Sequence, residues 1–122
     1  MARREVMPRV GRDIDALMTF VGSWPRGQPA KRLDELQAAM EFIAANPELR
    51  PVTVRRRVSK LELRRYNVRQ FAVIYHYYRP SERDLEGLVS FRAVRHSRVA
   101  DVFRGVREEP AAAYAVGHAE AA

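Results

Sequence analysis

The chain has 122 residues, which suits one domain, and carries a net charge of +7 with a pI near 10.5. It contains no cysteine, which excludes disulfides, thiolate metal sites and thiol catalysis. No segment approaches the roughly 20 apolar residues of a membrane span, and no long apolar run follows the basic N-terminus. We therefore expect a cytoplasmic protein without a signal peptide, whose basic charge favours nucleic acid or an acidic protein surface as partner.

The first half of the sequence predicts a helical hairpin. Apolar residues recur every three or four positions over residues 10–21, which is typical of an amphipathic helix. Glycine and proline interrupt this pattern over residues 22–27. A second helix is predicted over residues 29–45, because Pro29 suits a first helical turn and Asn46-Pro47 ends the helix.

The second half changes to the pattern of strands. Strands are predicted over residues 61–66, 70–78 and 87–95, and their short connections favour antiparallel pairing. An additional strand is predicted over residues 5–7. A short helix is predicted over residues 98–106, with Val99, Val102, Phe103 and Val106 facing inward.

These elements predict an α+β fold in which an N-terminal helical hairpin packs on a small twisted antiparallel sheet, with a short C-terminal helix. The other face of the sheet is expected to be open, covered by a partner or by polar side chains, and to carry the function. We predict one domain over residues 1–107. We expect the alanine-rich residues 108–122 to form a flexible tail.

The sequence contains few candidate catalytic or metal-binding residues. None of the three histidines has a carboxylate at obvious ligand spacing, so we expect no metal and no cofactor. Basic and aromatic residues instead concentrate on and beside the strands, as in surfaces that bind nucleic acid. The run Arg55-Arg56-Arg57 is expected to be a solvated edge that also discourages strand-on-strand aggregation. The candidate target-binding residues are Arg64, Arg65, Arg69, Arg92, Arg95, His96, Arg98 and Phe103.

RNA cleavage without a metal needs an acid, a base and cations around one phosphate. Should the protein be a nuclease, His96 is the candidate acid or base, and Arg95 or Arg98 the candidate electrostatic clamp.

Several segments resemble the RelE/ParE toxins of bacterial toxin–antitoxin systems. The resemblance covers roughly residues 5 to 107. The helical half with its Asn46-Pro47 turn resembles the family's hairpin, and Phe71-Ala72-Val73-Ile74-Tyr75-His76-Tyr77 resembles its apolar third strand. The segment from Val94 to Phe103, VRHSRVADVF, is similar to the family's C-terminal strand end.

The resemblance implies one of two activities, ribosome-dependent mRNA cleavage in RelE-like members or inhibition of DNA gyrase in ParE-like members. RelE-like cleavage relies on strand arginines or lysines, a C-terminal arginine and a tyrosine. Ala72, Ser97 and Phe103 stand at the corresponding positions, and phenylalanine has no hydroxyl to transfer a proton. The sequence therefore resembles the ParE-like members more closely.

Our leading hypothesis is a toxin that blocks gyrase by binding, without catalysis. The alternatives are an mRNA endonuclease and a degenerate member that retains only antitoxin binding. The resemblance also implies a partner, a cognate antitoxin whose acidic, partly disordered segment orders on the toxin and forms a hetero-oligomer with it.

Overall fold

The computed structural model describes residues 1–106, in which two helices pack against a five-stranded sheet. The α+β class predicted from the sequence is confirmed. The strands lie in the order β1-β5-β4-β3-β2 across the sheet. In chain order the elements are β1 (Arg3–Val6), α1 (Pro8–Gly22), α2 (Pro29–Ala45), β2 (Val52–Arg55), β3 (Glu62–Val68), β4 (Phe71–Tyr78) and β5 (Leu88–His96).

Both predicted helices are confirmed. Each begins at a proline, whose missing N–H costs nothing in a first turn, and α2 ends immediately before Asn46-Pro47. The loop between them depends on Gly27, because a Cβ at that position would lie 1.8 Å from the carbonyl oxygen of Val21. Only glycine lets the chain turn back this closely against the end of α1.

The sheet is mixed rather than purely antiparallel. The three predicted strands are confirmed as β3, β4 and β5, which pair antiparallel, and β2 adds an antiparallel edge strand that was not predicted. The predicted additional first strand is present as β1. It pairs with β5 in parallel, with Arg3 opposite Leu88 and Val6 opposite Phe91.

The hydrophobic core occupies both faces of the sheet. On the helix face, residues of α1 and α2 such as Val10 and Ile43 pack against Val73, Tyr75 and Phe91. We call the opposite side the second face. There a separate cluster forms, with these buried members: Leu61, Leu63, Ala72, Ile74, Ala93, Val102, Phe103 and Val106.

The predicted C-terminal helix is wrong, because residues 97–105 form turns. The carboxylate of Asp101 accepts the Phe103 N–H at 3.0 Å, Gly105 adopts a φ of +70°, and Val99 is 45% exposed instead of facing inward. The turns nevertheless bury Val102 and Phe103 on the second face. The expectation of an open second face was also wrong, since the chain itself covers part of that face. The predicted flexible tail, residues 108–122, lies outside the described residues, and the domain boundary at residue 107 stays a prediction.

Candidate target-binding site

A bulge in β5 decides which face each candidate residue lies on. Val89 and Phe91 face the helices, and simple alternation would place Ala93 and Arg95 beside them. The pairing with β4 shifts between Ile74 and Tyr75, so that residue 92 is the extra residue of a bulge. Ala93 consequently lies in the second-face cluster and Val94 in the helix-face cluster. By the same alternation, Arg95 lies on the second face and His96 on the helix face.

His96 lies in a groove at the end of the sheet, beside the C-terminal end of α1. The groove has a volume of about 690 Å³ and is lined by Phe20, Trp24, Gln70, His96, Arg98 and Val99. Its apolar wall is a pair of rings, Phe20 and Trp24, whose centroids lie 5.2 Å apart in an edge-to-face arrangement. None of these described lining residues is acidic. The groove therefore joins exposed apolar surface to positive charge.

The backbone holds the two polar side chains of the groove close together. The Nδ1 atom of His96 accepts the backbone N–H of Arg98 at 3.2 Å, which fixes the turn that follows β5. His96 is half-buried, whereas Arg98 is exposed. Arg98 is therefore the cation of the groove that a partner reaches first.

Arg65 and Arg69 lie near this end of the sheet, where β3 turns into β4. Arg65 donates to the Ser97 carbonyl at 3.2 Å and to the Asn67 side chain at 2.9 Å. Arg69 is exposed, adopts a φ of 53° and pairs with Glu35 of α2 at 2.7 Å. Arg65 thus supports the segment that carries Arg98, and Arg69 adds a second exposed cation near the groove.

Arg64 and Arg92 are buried, unlike the other predicted target-binding arginines. Arg64 is 6% exposed and its Nη1 donates to the Arg50 carbonyl at 2.6 Å. Arg92 is 2% exposed and its Nη2 donates to the Tyr78 hydroxyl at 3.1 Å. Both guanidinium groups are held inside the fold and offer little surface to a partner.

Phe103 and Arg95 belong to the second face. Phe103 is 9% exposed and packs in the second-face cluster. The turns that carry it are held through three consecutive carbonyls, which accept hydrogen bonds from Arg56 at Phe103, from Arg95 at Arg104 and from Arg9 at Gly105. Burial, and then the charge of Arg9, lower the pKa of Arg95. The Arg95 side chain is thus engaged in holding the C-terminal turns.

The three residues of the predicted nuclease site therefore do not converge. His96 and Arg98 share the groove, whereas Arg95 lies on the opposite face of the sheet. Phe20, Trp24 and Gln70 were not predicted as groove residues. The available signal was Phe20, an aromatic residue outside the apolar stripe of α1 and four positions before Trp24; Gln70 carries no such signal.

A second histidine is structural. His76 is 7% exposed on β4, and its Nδ1 accepts the backbone N–H of Glu62 at 3.0 Å. Burial lowers the pKa of His76, because the interior disfavours the charged imidazolium. It lies away from the groove and supplies no acid or base there.

Within residues 1–106, no group of three His, Asp or Glu side chains is arranged to hold a metal ion. Over the same residues, no helix has the length and apolar character needed to cross a membrane.

Comparison with known proteins assigns the chain to a family. No curated protein matches the chain. A family model described as the ParE toxin of the type II toxin–antitoxin system parDE matches residues 5–100, which include the hairpin, the end of β1, the other four strands and the groove residues His96 and Arg98. The chain therefore belongs to the ParE toxin family of the RelE/ParE superfamily, as the toxin of a type II toxin–antitoxin system.

Proposed function

We propose that this toxin inhibits DNA gyrase by binding it and that it catalyses no reaction. Membership of the ParE family supports the choice of target. The observation that supports the absence of catalysis is the separation of Arg95 and His96 onto opposite faces of the sheet. A metal-free nuclease needs an acid or base and several cations around one phosphate, and this separation removes one of the two candidate clamps from the side of His96.

The positions that depart from the RelE-like pattern support the same proposal. Ala72 is fully buried on the second face, and Phe103 packs in the same cluster. Neither side chain supplies a charge or a proton, and both lie on the face opposite His96. These two positions of the second face thus lie in a hydrophobic cluster, where a nuclease would need a solvated site.

The surface proposed to bind gyrase is the groove and its rim. Phe20 and Trp24 supply apolar area, and His96, Arg98 and Arg69 supply polar and charged contacts. Aromatic rings and arginines are the residue types that most often dominate binding energy at protein interfaces. Arg65 positions this surface through the Ser97 carbonyl.

The partner that neutralises the toxin is proposed to be an antitoxin with an acidic, partly disordered segment. A groove with apolar walls and no acidic described lining residue suits such a segment, which orders as it binds. Toxin and antitoxin would then form a hetero-oligomer in the cytoplasm, where gyrase acts. Co-expression of the neighbouring gene should relieve the growth arrest that the toxin alone causes.

A supercoiling assay with purified gyrase and three toxin variants tests the binding surface. Arg98→Ala and His96→Ala should each require about tenfold more toxin for half inhibition, which corresponds to an interface contact of about 1.4 kcal/mol. Arg83→Ala removes another exposed arginine, from the turn after β4, and should leave inhibition unchanged. Equal inhibition by all three variants would remove the groove from the proposed surface.

The alternative activity, mRNA cleavage on the ribosome, is favoured by one observation, the shared position of His96 and Arg98 in the groove. Its test is a translation extract supplied with the toxin. We expect intact mRNA. Codon-specific cuts that disappear with His96→Ala would replace the gyrase proposal with nuclease activity, and expression without growth arrest would favour a member that only binds antitoxin.

A further inference from the structure

A second charged surface lies far from the groove, in the turn that joins β2 to β3. We call residues 55–60 the basic turn. β3 begins beside this turn and ends near the groove, so that roughly 20 Å of strand separates the two surfaces. The basic turn also lies at the edge of the sheet, since β2 is the last strand in the order. It is therefore open to a partner independently of the groove.

Four cations meet at the basic turn. Arg55, Arg56, Arg57 and Lys60 line a hollow of about 390 Å³, together with the carboxylate of Glu62. Glu62 pairs with Arg55 at 3.1 Å, and four cations against one carboxylate leave three net positive charges in one small surface. The Arg56 guanidinium is anchored to the Phe103 carbonyl at 2.9 Å, so that part of this charge is held in place.

The backbone of the turn is strained at one of these cations. Lys60 adopts a φ of 63°, a conformation that favours glycine or asparagine. The geometry is fixed by hydrogen bonds from the Lys60 N–H to the Arg56 carbonyl at 3.0 Å and from the Arg56 N–H to the Leu61 carbonyl at 2.8 Å. Lysine thus occupies a position where glycine would relieve the strain. A backbone outlier of this kind is a reason to look for a function of its side chain.

The chemistry of the hollow favours a phosphate backbone as ligand. None of its described lining residues is aromatic, so it offers no platform on which unpaired bases would stack. Arginine and lysine side chains instead suit phosphate oxygens, which position a duplex without reading its sequence.

We propose that the basic turn binds the phosphodiester backbone of duplex DNA. The choice of DNA over other polyanions rests on the proposed function, because a protein bound to gyrase lies beside the duplex on which gyrase acts. The contact is independent of sequence and adds affinity for gyrase that holds DNA.

The test measures binding to a fluorescent DNA duplex by anisotropy, without gyrase, over a range of salt concentrations. The slope of log Kobs against log salt is negative, and it is its magnitude that is compared between variants. Each lost phosphate contact lowers this magnitude by about 0.9. The variant Arg55→Gln/Arg57→Gln/Lys60→Gln should therefore lower the slope by about 2.7. It leaves Arg56 in place, because Arg56 also holds the C-terminal turns.

A matched control removes the same charge elsewhere. Arg26→Gln/Lys31→Gln/Arg83→Gln changes two exposed arginines and an exposed lysine outside the basic turn, and should leave the slope nearly unchanged. If both triple variants reduced the slope by the same amount, net charge alone would explain DNA binding, and the proposal would be overturned. Tighter binding of duplex RNA, or displacement by polyglutamate as effectively as by unlabelled duplex, would overturn the choice of DNA.

Lys60→Gly separates ligand binding from a structural role. Glycine adopts the positive φ without strain, which stabilises the folded state. Its greater conformational freedom in the unfolded chain partly offsets this stabilisation, so that Tm should rise by about 2–5 °C. DNA binding should weaken at the same time, with a slope reduced by about 0.9. A higher Tm with unchanged DNA binding would contradict the proposal.

The two lysines of the chain allow a direct footprint. Duplex DNA should protect Lys60 from an amine-acetylating reagent and leave Lys31 of α2 reactive. Equal reactivity of Lys60 with and without DNA would contradict the contact. Because these measurements omit gyrase, the DNA contact and the gyrase proposal fail separately: loss of one result leaves the other intact.

Discussion

Replacing Phe103 with alanine distinguishes a core residue from a target-binding residue. Phe103 is 9% exposed and packs with Val102 and Val106 against the second face of the sheet. Truncation of a buried phenylalanine costs about 3–5 kcal/mol. Phe103 lies in a turn at the margin of the cluster and is slightly exposed, which places the expected loss near the lower value, about 3 kcal/mol. A domain of this size is stable by about 5–15 kcal/mol, so the variant should still fold.

Urea unfolding followed by the fluorescence of Trp24, the only tryptophan, measures this loss. Gyrase inhibition should remain once the variant is assayed well below its melting temperature. Arg98→Ala is the matched comparison and should show the reverse, with unchanged stability and weakened inhibition. A loss of stability below about 1 kcal/mol together with lost inhibition would refute the reasoning and return Phe103 to the target-binding surface.

Two further predictions concern the fold that supports the groove. The lowered pKa of His76 means that the native state binds fewer protons than the unfolded chain, so the free energy of unfolding should fall as pH drops through about 6.5, by at most about 1.4 kcal/mol per pH unit. Urea midpoints from pH 8 to pH 5 should show this decline, and His76→Gln should flatten it; an unchanged decline would assign it to other groups. Gly27→Ala should destabilise the protein by about 2–3 kcal/mol or more, because its Cβ would lie 1.8 Å from the Val21 carbonyl oxygen. A thermal melt that matches wild type would show that the loop moves away at little cost.

The elements that the sequence predicted well are those with a local pattern. The stripe of α1 and the apolar run of β4 repeat over several residues and are bounded by proline or glycine. β2 has only four residues, the last of which already belongs to the basic turn, and this is too short for alternation to be distinctive. The parallel pairing of β1 depends on residues more than 80 positions away in β5, and no local pattern encodes it.

The C-terminal turns show where periodicity misleads. Val99, Val102, Phe103 and Val106 have helical spacing, yet the same spacing lets a series of turns bury three of the four. Arg56 and Arg95 replace the missing helical hydrogen bonds by donating to backbone carbonyls of these turns. Those contacts link residues distant along the chain, so the sequence pattern did not reveal them.

The structure brings together only some of the residues that the sequence predicted for the candidate site. His96, Arg98 and Arg69 do lie at one end of the molecule, as residues that follow neighbouring strand ends often do. The bulge at residue 92 reverses the alternation of β5 and sends Arg95 to the other face. A single extra residue in a strand leaves no distinctive mark in the sequence. Because of it, a cluster that looked like a possible catalytic site is divided between two surfaces.

The most direct test of the gyrase proposal is the supercoiling of relaxed plasmid DNA by purified gyrase in the presence of wild-type toxin. We predict that micromolar toxin abolishes supercoiling, and that the same toxin leaves mRNA intact in a translation extract. Full supercoiling at micromolar toxin, with the protein shown to be folded, would contradict this prediction.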